Sequence, residues 1–153
     1  MSDAEDSTRT AAPSAHTEPP ALDPAKRFFL VVDDVAPVRN SVKRNLEPNL
    51  SEHGVELLLV ETGAEAIRLL QSESGKQIVG VLTDLDGTSE GEAVARAASA
   101  KNIPVTVFSG GVNLRNAELP ADAVRLEKPY NTAALIAWAI KCVLDAQVQT
   151  KNP

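Results

Sequence analysis

The sequence predicts an open α/β domain: a doubly wound, five-stranded parallel sheet with helices on both faces, preceded by a disordered N-terminal arm. Three observations predict it. Five short aliphatic runs recur along the chain, nearly continuous rather than alternating, as strands buried on both faces are. Stretches with helical apolar spacing separate them, and such alternation implies parallel pairing through right-handed crossovers. The length of 153 residues, with 43% hydrophobic and 24% charged residues, suits one globular domain with a sizeable core.

In chain order, Met1 to about Ala25 holds Pro13, Pro19, Pro20 and Pro24, several Ser and Thr, and few large apolar residues. Such a segment cannot bury enough surface to offset its ordering entropy, so the expected layout is an arm over 1–25, a domain over 26–150 and a tail over 151–153. The expected strands are Phe28 to Val32, Val55 to Val60, Ile78 to Leu82, Val105 to Phe108 and Ala123 to Leu126. Val38, Val42 and Leu46 mark the first helix, Ala66, Ile67 and Leu70 the second, and Val94, Ala97 and Ala98 the third. The Gly/Asn-rich stretch from Gly110 to Pro120 leaves a helix there open. A longer last helix runs through Leu135, Ala139 and Cys142 to about Val148, with Asn131 or Thr132 as its cap.

Composition excludes several classes. Fifteen Lys and Arg against 21 Asp and Glu give a net charge of −6, the wrong sign for a phosphate-binding surface. The single cysteine, Cys142, permits no intrachain disulfide and argues against a structural zinc site; it reads as a small buried hydrophobe. No apolar run reaches the roughly 18 residues of a membrane span, and the N-terminus lacks the core of a secretion signal. The expectation is a cytoplasmic protein that binds neither nucleic acid nor membrane.

Ligands of open parallel sheets sit at the carboxyl ends of the strands. Here the first run ends in Asp33-Asp34, the third in Asp84, the fourth in Ser109 and the fifth in Lys128-Pro129. Taken singly, each residue has a plain alternative: Asp34 as the cap of a helix starting near Pro37, Ser109 in a turn. Together they bring three carboxylates, a hydroxyl and an ammonium to one rim. Two like charges about 4 Å apart repel by roughly 4 kcal/mol at an effective dielectric of 20, and Lys128 offsets only one. Three carboxylates therefore call for a cation, and hard oxygen ligands with room for water suit Mg²⁺.

Phe29-Leu30-Val31-Val32-Asp33-Asp34, Leu82-Thr83-Asp84-Leu85, Val107-Phe108-Ser109-Gly110 and Leu126-Glu127-Lys128-Pro129-Tyr130 together resemble the receiver domain of two-component response regulators. The likeness covers about Arg27 to Val148 and implies the flavodoxin-like, CheY-like fold. It further implies that Asp84 is the phosphoacceptor, taking a phosphoryl group from a phosphohistidine of a sensor histidine kinase or histidine phosphotransfer protein. It implies that Asp33, Asp34, Asp84 and the main-chain carbonyl of Asp86 hold Mg²⁺. By the same resemblance, Ser109 and Lys128 stabilise the phosphoryl group and the Lys128–Pro129 bond is cis. The implied protein is a phosphoacceptor signalling domain rather than an enzyme, acting through contacts with a protein target that the sequence does not name.

The chain departs from the family pattern in three places. The loop Asp86-Gly87-Thr88-Ser89-Glu90-Gly91 lacks the usual proline and is one residue shorter. Arg125 stands where an aromatic switch is expected, and becomes the candidate switch. The interval from Ser109 to Lys128 is about one helical turn short. A second resemblance attaches to Asp84-Leu85-Asp86-Gly87-Thr88, similar to the first motif of haloacid-dehalogenase-type phosphatases, with Asp84 as nucleophile and Asp86 as acid/base. That family carries its acidic pair after the lysine and needs more chain beyond the nucleophile; here the acidic pair lies upstream. On the last helix, Ile136, Ile140 and Val143, with Trp138 nearby, form a second apolar stripe beside the core-facing one. It reads either as a broad core face or as a surface for a partner or a homodimer.

Overall fold

A computed structural model describes residues 22–85, 90–109, 117–127 and 131–151. Most of the predicted arm, Asp86, residues 110–116 and Lys128, Pro129 and Tyr130, with the expected cis bond, lie outside the described residues. Along the chain run β1 (Arg27–Val32), α1 (Ala36–Ser51), β2 (Val55–Val60), α2 (Gly63–Gln71), a 3₁₀ turn (Glu73–Gln77), β3 (Ile78–Asp84), α3 (Glu90–Ala100), β4 (Val105–Ser109), β5 (Val124–Glu127) and α4 (Thr132–Lys151). The strands form a five-stranded sheet in the order β2-β1-β3-β4-β5, and every pair is parallel. This is the doubly wound α/β architecture read from the sequence. β3 and β4 each run further than their apolar stretches, because Asp84 and Ser109 still pair with their neighbours.

Each face of the sheet carries its own core. Leu30, Val32, Val81, Val105 and Val107 pack with Ala66, Leu70, Val94 and Ala98 of α2 and α3. Phe29, Val31, Leu82 and Phe108 pack with Val42, Leu46 and Leu50 of α1 and with Leu135, Ala139, Cys142 and Val143 of α4. The interior strand β1 thus buries both faces, which is why its run shows no alternation. A register shift separates Phe28 from Phe29 along β3. Gly80 lies under the Phe29 ring, where a Cβ would approach to 2.7 Å, and the ring meets Trp138 of α4 edge-on at 5.5 Å.

Three expectations change. Val143 is 0% exposed and belongs to the core, so it is removed from any outer surface of α4. Ile136 and Trp138 pack against the same core, and Ile140 is half-buried. The predicted arm ends earlier than Ala25: Leu22 is half-buried, and the Gln77 amide donates to the carbonyls of Asp23 (2.6 Å) and Lys26 (3.0 Å). Asp34 is not the cap of α1. That position falls to Val35, which supplies no side-chain bond, whereas Asn131 does cap α4 by accepting from the Ala134 N–H at 3.1 Å. The described end of the Gly110 to Pro120 stretch, residues 117–120, is not helical, and Ala117 and Leu119 pack onto the α2/α3 face.

Candidate functional site

β1 and β3 are neighbours with Val32 opposite Thr83, so the residues that follow each strand meet at one rim. Asp33 leaves β1 with its N–H donated to the Val60 carbonyl at 3.1 Å, which extends the sheet by one step. Its carboxylate Oδ1 accepts from the Val35 N–H at 2.8 Å, and its carbonyl accepts from Arg39 Nη1 at 2.7 Å. Asp33 is 2% exposed, Asp34 is exposed and Asp84 is half-buried. One carboxylate oxygen from each of the three lies within 4.8 Å of the other two.

At these separations the carboxylates repel strongly unless a cation sits among them, and with Asp33 buried, Asp84 half-buried and Asp34 exposed the group borders solvent on one side. The donor set fits a hard divalent ion such as Mg²⁺. Ser109 closes β4 beside Asp84, 5% exposed, and its hydroxyl donates to the Leu85 carbonyl. Leu85 in turn donates its N–H to the Phe108 carbonyl at 3.0 Å, so β3 and β4 stay laced together past the acidic residue. Arg125, on the edge strand, is exposed. Glu127, the last residue of β5, pairs opposite Ser109, and Lys128 lies outside the described residues.

Two further acids line the same small pocket, Glu61 and Glu90. Sequence reading missed both. Glu61 follows the last residue of β2 and had the same signal as the others, a charged residue ending a strand. Glu90 opens α3, where a carboxylate beside the first turn also favours the helix dipole. Arg39 was missed as well, because its contact spans six residues through a turn that no apolar period reports. A larger cavity of about 500 Å³ opens at the opposite pole, lined by Arg27, Ile78, Ile103, Pro104 and Cys142 among others. Size is a poor guide here: the carboxylates converge at the carboxyl rim, and no such group forms at the opposite pole among its described residues.

No family model matches the chain, and no curated protein matches it. Solved structures do. A response regulator receiver protein from Sinorhizobium medicae WSM419 superposes with a TM-score of 0.61 at 29% identity, over 79% of this chain and 97% of its own. The signal receiver domain of an HD domain-containing protein from Pseudomonas fluorescens Pf-5 gives 0.61 at 15% identity, over 87% and 98%. A response regulator receiver modulated diguanylate cyclase from Pelobacter carbinolicus gives 0.61 at 19%, over 82% and 98%. The last two speak to fold alone. In its strand order, its acidic rim and these neighbours, the chain is similar to response regulator receiver domains and has their CheY-like fold.

Proposed function

We propose that this domain accepts a phosphoryl group on Asp84 in a Mg²⁺-dependent reaction and passes the signal on by protein–protein contact. The observation that carries the reading is the meeting of Asp33, Asp34 and Asp84 within 4.8 Å at the carboxyl rim of a parallel sheet. Asp33, Asp34 and Asp84, with the carbonyl of Asp86, would hold the ion, which when bound supplies charge neutralisation for two approaching anions. An Asp84 carboxylate oxygen attacks phosphorus, the donor's P–N bond breaks, and the histidine nitrogen leaves with its electron pair and takes a proton. Phosphoryl transfer asks chiefly for this positioning and charge balance. Ser109 would exchange its bond to Leu85 for one to a phosphoryl oxygen, and Lys128 would pair with the new charge of about −1.5 to −2.

The donor class is a phosphohistidine of a sensor histidine kinase or a histidine phosphotransfer protein, in the cytoplasm. Arg125 takes the place of the aromatic switch, reading the new charge electrostatically from the edge strand. With Val143 in the core, the outer face of α4 keeps half-buried Ile140 and exposed Leu144 for a protein partner or a second copy.

The test is incubation with Mg²⁺ and acetyl phosphate followed by intact mass measurement. Wild type should gain one phosphoryl group and Asp84→Asn none, with EDTA abolishing the gain. Turnover of phosphate monoesters without a mass gain would instead favour the phosphatase chemistry of the Asp84-x-Asp86 motif.

A further inference from the structure

We propose that Arg39 is a positioning residue for the metal site: its guanidinium fixes the Asp33–Asp34 turn in the shape that lets the carboxylates converge. The inference rests on the metal-binding reading above. Arg39 Nη1 donates to the Asp33 carbonyl at 2.7 Å, a short bond strengthened by the donor's charge. The carbonyl belongs to the Asp33–Asp34 peptide, so holding it sets the plane from which Asp34 projects. Asp34 is exposed, and its carboxylate goes where the backbone directs it.

Arg39 is itself firmly placed. It lies in the first turns of α1, whose Val42, Leu46 and Leu50 are buried against the sheet. The same helix begins at Val35 without a capping side chain, and Asp33 instead accepts from the Val35 N–H while Arg39 reaches back to the Asp33 carbonyl. Both bonds are donated from the helix side and accepted by Asp33, one on its carboxylate and one on its carbonyl, so the turn is held at two points. A guanidinium suits this role because it is always charged and its donors form a rigid planar fork.

Charge and position predict opposite outcomes, which makes the proposal decidable. A guanidinium near a cation site repels the cation, so removing charge alone would tighten Mg²⁺ binding. Removing the clamp frees the peptide that carries two of the three carboxylates, which weakens binding. Arg39 is half-buried beside solvent, where its charge is screened, so the positional effect dominates.

Mg²⁺ titration calorimetry on the full chain, with thermal unfolding in EDTA as a control, tests this. Arg39→Met should bind Mg²⁺ about tenfold more weakly, and Arg39→Lys, which keeps the charge without the planar fork, severalfold more weakly. Unchanged or tighter binding by folded Arg39→Met would overturn the proposal, even if its unfolding temperature in EDTA fell. Should Arg39→Met not fold, Arg39→Lys decides, and wild-type affinity there would overturn it. A wild type that ignores Mg²⁺ would sink the metal reading itself, and this inference with it.

Discussion

Asp33 and Asp34 are adjacent, yet the fold treats them differently. The first is buried and tied through its N–H, its carbonyl and one carboxylate oxygen, whereas the second is exposed and follows the peptide that Arg39 holds. The acidic trio was legible in the sequence because a charged residue ending an apolar run is a local signal. The ties behind it were not, since Arg39 and Val60 reach Asp33 through a turn and across a strand. Cys142 shows the converse case, a residue whose plain reading as a small buried hydrophobe is what the structure has. Burial, with Asp145 adding to it, pushes its thiol up from 9.0 to about 12. The unfolded chain therefore sheds this proton first as pH rises, and the native state loses stability above about pH 9 and up to about pH 12. At about pH 10.5 the loss is about 2 kcal/mol relative to neutral pH. Urea unfolding at both pH values should show this extra loss in wild type and not in Cys142→Ala, after each protein is compared with itself.

At the scale of elements, what positions the site is the contact between the start of α3 and the end of β3. Gly91 sits against the Asp84 carbonyl and Leu85, where a Cβ would collide with backbone. Gly91→Ala should therefore force the helix and the strand end apart, costing about 1–3 kcal/mol in urea unfolding. It should also weaken Mg²⁺ binding measured by calorimetry, because the displaced strand end carries Asp84. Strand positions were readable because each run is short, continuous and aliphatic, and β2 keeps the limits read from the sequence. Helix faces were less so: Leu69 and Ala95 are buried beside the expected stripes, and Val143 turns inward where the spacing offered an outer one. A helix pressed between a sheet and a neighbouring helix buries a wider arc than one periodic stripe reports. The Arg39 clamp at the start of α1 was illegible for another reason, since it begins inside the helix and ends on a main-chain carbonyl.

For the molecule as a whole, the acidic rim would couple folding to a cation bound there. Three carboxylates gathered by the native chain repel one another, and an ion that binds only the folded form adds stability by mass action. At 100 times its dissociation constant, Mg²⁺ should raise the unfolding free energy by about 2.7 kcal/mol, a gain that EDTA removes and that chemical denaturation reads directly. The two open sides of the sheet have unlike characters. β5 spans four residues and carries Arg125 and Glu127. β2 spans six, with Leu57, Leu58, Leu59 and Val60 only partly covered, and its charges are Glu56, joined to Lys26 at 2.7 Å, and Glu61 just past its end. A long aliphatic border strand is a template for cross-chain β-pairing, and charged gatekeepers are what hold such templates apart. Fibril seeding in a concentrated or partly opened sample would accordingly start from the Val55–Val60 border, with the Lys26–Glu56 pair as its guard.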